Sequence, residues 1–115
     1  MKIENGKRAM DNFKAVYKIL TELEKQMDST ETDVSKFDYN VLKISETRWM
    51  KYVEMMYDCG YIKGVEISQT MDGLMFCDYQ DMKITLKGLE YLQENSIMKK
   101  IYKSAKGIKD VVPGL

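Results

Sequence analysis

The chain has 115 residues, 44% of them hydrophobic and 31% charged, with a formal net charge of zero. Those proportions exclude a disordered chain and describe one soluble domain, long enough to bury a core without disulfide or metal staples. No apolar run reaches the length of a membrane span, and residues 1–8 lack the apolar centre of a signal peptide, so a cytoplasmic protein is expected.

There is no histidine, which removes the commonest general base and the commonest metal ligand. The two cysteines, Cys59 and Cys77, fit a reducing compartment as thiols; a disulfide between them is the alternative. Charge is neutral only in sum. Residues 2–18 carry five bases against Glu4 and Asp11, a net of +3, and residues 22–38 carry six acids against Lys25 and Lys36, a net of −4. Residues 99–110 carry five lysines and one acid, a net of +4. Such asymmetry implies a polarised surface.

Residues 1–6 show no periodicity and are expected to fray. Phe13, Val16, Tyr17, Leu20, Leu23 and Met27 then recur at helical spacing and predict a first helix over residues 7–27. A polar connector over 28–33 leads to a short second helix within 37–42, with Tyr39 and Leu42 turned inward. Ser45 opens a third helix, its hydroxyl free to accept from an orphan backbone N–H, and Glu46 suits the positive end of the dipole. Trp49, Tyr52, Val53 and Met56 form its buried stripe. Gly60 ends it, because a left-handed residue past a helix costs glycine little.

Residues 61–67 read as a strand and Asp72-Gly73 as a hairpin turn, with Met82-Lys83-Ile84 returning and residues 74–79 able to lengthen the pairing. Thr85 caps the next helix, and Gly88 lets that helix approach the sheet closely. Leu89, Tyr91 and Leu92 fill the core until Asn95-Ser96 breaks the helix. A last helix is predicted over 97–108, with Met98, Ile101, Tyr102, Ala105 and Ile108 on one side.

This order predicts a mostly helical α+β domain. The expected architecture is a winged helix-turn-helix with about five helices and a small two- to three-stranded antiparallel sheet. It is expected as a single domain over 7–110, with a C-terminal tail over 111–115.

The run Ile84-Thr85-Leu86-Lys87-Gly88-Leu89-Glu90-Tyr91-Leu92-Gln93-Glu94-Asn95-Ser96-Ile97-Met98-Lys99-Lys100, preceded by Gly60-Tyr61-Ile62-Lys63-Gly64-Val65, resembles the YjcQ-like proteins of low-GC Gram-positive bacteria and their phages. The resemblance extends over residues 7–113, and the Glu-Asn-Ser-Ile-Met-Lys-Lys junction is its more specific part. It implies a small helical domain of winged-helix kind and a phage or prophage origin. It implies no catalytic or ligand-binding residue.

Two function classes follow. In a winged helix-turn-helix the third helix enters the major groove. Arg48 is then the candidate to read guanine, with Thr47 and Lys51 placed to touch phosphate or base. Lys99, Lys103 and Lys106 stand at i, i+4 and i+7 as a candidate phosphate-facing stripe, though such a stripe is ordinarily just a solvated helix face. Against DNA, residues 65–82 hold Glu66, Asp72, Asp78 and Asp81 with no lysine or arginine, and carboxylates repel phosphate. The alternative is a protein-interaction adaptor or phage assembly component. Its candidate surface is Met55, Met71, Met75, Phe76 and Tyr79, residues that would otherwise fill a core or cover the sheet. A homodimer through the terminal helices is also expected.

Catalysis is not expected. Cys59 stands beside Asp58 with no base to activate it. Gly60-x-x-x-Gly64 lacks the Lys-Ser/Thr of a phosphate loop, and the hairpin acids lack EF-hand spacing. No cofactor and no metal are expected, and a membrane-surface role is disfavoured because the apolar side of the last helix is needed for packing.

Overall fold

The computed structural model describes residues 2–73 and 75–95, and within them every side chain except those of residues 2–11 and 76. The described residues form an α+β, mostly helical arrangement in the order α1 (Lys2–Lys25), α2 (Tyr39–Leu42), α3 (Glu46–Asp58), β1 (Ile62–Lys63), β2 (Glu66–Gln69), β3 (Met75–Asp78), β4 (Lys83–Ile84) and α4 (Leu86–Glu94). Four α-helices are therefore present among them against the five expected. The predicted last helix, over 97–108, lies outside the described residues. No helix among the described residues is long and apolar enough to cross a membrane.

Helix α1 begins at Lys2, five residues before the periodicity predicts, and passes into a 3-10 turn at Gln26–Asp28. Its buried residues are Ala15, Tyr17, Ile19, Leu20 and Leu23. Val16 is half-buried, and two members of the predicted stripe are exposed, Phe13 at 63% and Met27 at 58%. The reason is geometric. Phe13 precedes Ala15, the first buried side chain among the described residues of α1. The tighter 3-10 winding shifts Met27 out of the α-helical register.

The connector is held at two points. Gln26 brackets Asp33, its Nε2 donating to the Asp33 carbonyl at 3.1 Å and its Oε1 accepting from the Asp33 N–H at 2.7 Å. Thr32 Oγ1 donates to the Met82 carbonyl at 2.8 Å, which ties the connector to the edge of β4. Asp38 then caps α2 through the N–H groups of Asn40 and Val41, and Lys43 ends that helix in the left-handed region at φ 59°.

Helix α3 follows the sequence closely. Ser45 Oγ accepts from the Arg48 N–H at 3.0 Å, and the buried stripe is Trp49, Tyr52, Val53 and Met56. Trp49 is the centre of the core. Its indole N–H donates to the Phe37 carbonyl at 2.9 Å, and the rings of Phe37, Tyr39 and Tyr79 surround it at centroid distances of 6.5, 6.1 and 5.0 Å.

The strand predicted over 61–67 is split. Antiparallel β1 and β4 pair Ile62 with Ile84 and Lys63 with Lys83, while antiparallel β2 and β3 run from Glu66 opposite Asp78 to Gln69 opposite Met75. The break falls at Gly64, whose φ is +82° and where a Cβ would lie 2.0 Å from the Asp81 carbonyl oxygen. Two residues on this side, 64 and 65, face four on the other, 79–82, where the Met82 N–H closes a turn onto the Tyr79 carbonyl at 3.2 Å. At the far end the Gly73 N–H donates to the Thr70 carbonyl, with Gly73 at φ +88°.

One joint locks the hairpin base to the helices. Thr85 Oγ1 accepts from the Gly88 N–H at 3.0 Å and donates to the Gly60 carbonyl at 2.6 Å, while the Thr85 N–H donates to the Tyr61 carbonyl. A single threonine thus caps α4 and binds the chain leaving α3. Gly88 makes this fit, since a Cβ there would meet the Tyr61 carbonyl oxygen at 2.4 Å.

Candidate interaction surfaces on α3 and the hairpin

The outer face of α3 carries Thr47, Lys51, Met55 and Asp58, all exposed as the periodicity predicts. Arg48 departs from that set. It is half-buried, its Nε donates to the Tyr52 hydroxyl at 3.0 Å, and its Nη2 donates to Asn12 Oδ1 at 2.6 Å. The Tyr52 hydroxyl donates to the same Asn12 oxygen, and the guanidinium carbon lies 5.6 Å from the Tyr52 ring centre. The three side chains form a closed triangle between α1 and α3, with cation–π attraction adding to it. A guanidinium held this way must leave two partners unpaired before it can reach a base edge. Of the α3 residues proposed to meet nucleic acid, Thr47 and Lys51 are the ones that point freely to solvent.

Lys99, Lys103 and Lys106 lie outside the described residues, as does the part of a terminal-helix dimer contact beyond residue 95.

The residues suggested for protein contact divide. Met71, in the loop after β2, is 101% exposed, and Met55 on α3 is 53% exposed. Met75 is half-buried at the start of β3. Phe76 pairs with Ser68 along the backbone; its side chain is outside the described set. Tyr79 is half-buried with its ring edge-on to Trp49, so it serves the packing around that indole.

Both cysteines are free. Cys59 is exposed; Cys77 is half-buried, and burial, followed by the charges of Asp78 and Glu54, pushes its thiol up to about 11. A thiol so shifted stays protonated and is a poor nucleophile near neutral pH. Burial also raises the Tyr79 hydroxyl, with Tyr39 and Glu46 contributing, and the Tyr91 hydroxyl, whose ring lies 4.9 Å from that of Tyr61. Among the described residues no group of three or more histidine, cysteine, aspartate or glutamate side chains is placed to hold a metal ion.

The outer side of the hairpin is strongly charged. Glu66, Asp72, Asp78 and Asp81 are all exposed, and Glu66 stands directly opposite Asp78. At the base Lys63 stands directly opposite Lys83, both exposed. Sequence reasoning identified the acids but not these rows, nor the part played by Asn12. The rows depend on a register that the unequal break at 64–65 and 79–82 conceals. Asn12 is 36 residues from the arginine it binds, and no local pattern marks it.

No curated protein and no solved structure matches the chain. A family model described as YjcQ protein matches residues 17–111, most of the chain and the same family that the segments around residues 60–65 and 84–100 resemble. The chain belongs to the YjcQ family.

Proposed function

We propose that this protein is a non-enzymatic protein-interaction module, an adaptor or assembly component built on a winged helix-turn-helix. In this reading α2 and α3 are the helix-turn-helix pair, and the hairpin from β2 to β3 is the wing. The observation that carries it is Met71, fully exposed at the tip of a hairpin whose charged side chains between residues 65 and 82 are all carboxylates. An unbranched, polarizable side chain framed by acids suits a partner surface that is basic and partly apolar. The same carboxylates oppose contact with a phosphate backbone. Arg48, engaged with Asn12 and Tyr52, offers little to offset them.

The test uses the wild-type protein and Met71→Glu as immobilised baits for host proteins, with bound partners cross-linked and identified. A specific partner held by the wild type and lost by Met71→Glu is the expected result. Equal retention by both proteins overturns the assignment of the tip.

A second reading, regulatory binding of duplex DNA, is favoured by Thr47 and Lys51, exposed on the first two turns of α3. It draws further on Lys99, Lys103 and Lys106 in the sequence. A mobility shift of duplex DNA at low salt, weakened by Lys51→Ala and steeply by added salt, would support it. No shift at low salt removes it.

A further inference from the structure

Side chains in a strand alternate between faces, so residues three apart normally point to opposite sides. Gly64 overrides that rule. With its left-handed φ of +82° between β1 and β2, Ile62 and Val65 are both buried, and the residues that follow each of them, Lys63 and Glu66, are both exposed. On the returning side Met82 and Ile84 are buried, whereas Lys83 and Asp78 are exposed. The face of the hairpin turned away from the core therefore presents two lysines directly opposed, Lys63 and Lys83, then two carboxylates directly opposed, Glu66 and Asp78.

Like charges set opposite each other across a strand pair are destabilising. Here two such rows sit in one short hairpin, and none of the four groups forms an ion pair among the described residues, where both ion pairs belong to Glu22. The rows are of opposite sign and equal size. A two-fold axis across the face would set the lysine row of one copy on the carboxylate row of another, and the reverse, which is the requirement for a self-complementary interface. The lysine row also borders a cleft of about 190 Å³ that Ser29 and Thr32 help to line. That volume is below the ~300 Å³ of ordinary small-molecule sites.

We propose that the outer face of the hairpin is a homodimer contact, in which Lys63 and Lys83 of one protomer pair with Glu66 and Asp78 of the other. The occupant of this face is a second copy of the chain, because the same surface supplies both halves of the charge pattern. The inference rests on register and exposure alone, independently of the partner read from Met71. An apposition confined to two hairpins stays under the ~1,200 Å² of a stable interface. Association is therefore weak and dependent on concentration and salt.

The test is a charge swap followed by sedimentation equilibrium, with circular dichroism to confirm folding. At low salt the wild type self-associates, and added salt dissociates it. The double variant Lys63→Glu/Lys83→Glu presents only acids, and Glu66→Lys/Asp78→Lys only bases, so each alone loses about tenfold or more in association constant. Mixing the two restores a one-to-one complex. If reversal prevents folding, Lys83→Gln and Glu66→Gln each weaken association while removing a like-charge clash. A wild type that stays monomeric at low salt overturns the proposal. So do variants that associate as the wild type does, or folded swap partners that fail to combine.

Discussion

The guanidinium of Arg48 donates to Asn12 Oδ1 at 2.6 Å, joining the outer edge of α3 to α1 across 36 residues of sequence. The same oxygen accepts from the Tyr52 hydroxyl, so one amide holds two donors from neighbouring turns of α3. This contact turns the most obvious base-reading side chain of the protein into a clamp between helices.

Removing Asn12 should therefore loosen the fold. Asn12→Ala leaves a charged donor and a hydroxyl without their acceptor, at a cost of about 1–3 kcal/mol. The urea midpoint of Asn12→Ala should fall, with the slope of the transition unchanged. An unaltered midpoint would show that the triangle contributes nothing to stability.

Two glycines in the left-handed region should respond differently to alanine. At Gly73 a Cβ meets nothing within 4 Å, so Gly73→Ala costs only the strain of its φ, about 1–2 kcal/mol. At Gly64 the same strain is joined by a clash with backbone, the Asp81 carbonyl, which adds about 1–3 kcal/mol. Thermal unfolding of the two variants side by side checks the ranking. Equal losses would mean that the break between β1 and β2 tolerates movement.

Trp49→Phe keeps an aromatic ring but leaves the Phe37 carbonyl without its donor and a void beside Tyr79. The expected loss is about 2–3 kcal/mol. Denaturant unfolding measures it, and a loss comparable to that of an exposed substitution would contradict the central place of this indole.

Alkali should destabilise the protein through half-buried acids that resist ionising. In the folded state Cys77 is pushed from 9.0 to about 11, first by burial and then by Asp78 and Glu54. Tyr79 and Tyr91 are raised as well, again chiefly by burial. The folded state thus binds these protons more tightly than the unfolded chain. The contribution of Cys77 is complete below pH 9 and is lost as pH rises toward 11, and that of the two tyrosines is lost only above pH 10. A thermal midpoint that declines over this window, and declines less in Cys77→Val, is the expected outcome; a flat profile would remove these groups as the cause. At the acid end, burial pushes Glu22 upward but Lys18 and Lys25 outweigh it, so its carboxyl lies below the ordinary value and supports the fold until it is protonated.

Much of the local structure is legible in the chain because it depends on neighbours in sequence. Ser45 and Thr85 are caps since a hydroxyl reaches an N–H three residues on. Gly60 ends α3 for conformational reasons that act at one residue. The stripe of Trp49, Tyr52, Val53 and Met56 follows from helical periodicity alone.

Tertiary structure decided the rest, because it turns on partners that no local rule selects. Phe13 and Met27 share the spacing of buried residues, but where α1 meets the body of the protein leaves both in solvent. Gly64 gives no hint in sequence that its left-handed turn will bring Lys63 and Glu66 onto one face, since alternation within a strand predicts the opposite. Arg48 has the position of a base-reading residue on α3, and only the arrival of Asn12 from α1 commits it to a contact between helices. Short-range hydrogen bonding and periodicity shaped the elements; long-range packing and register chose which charged side chains remain for a partner.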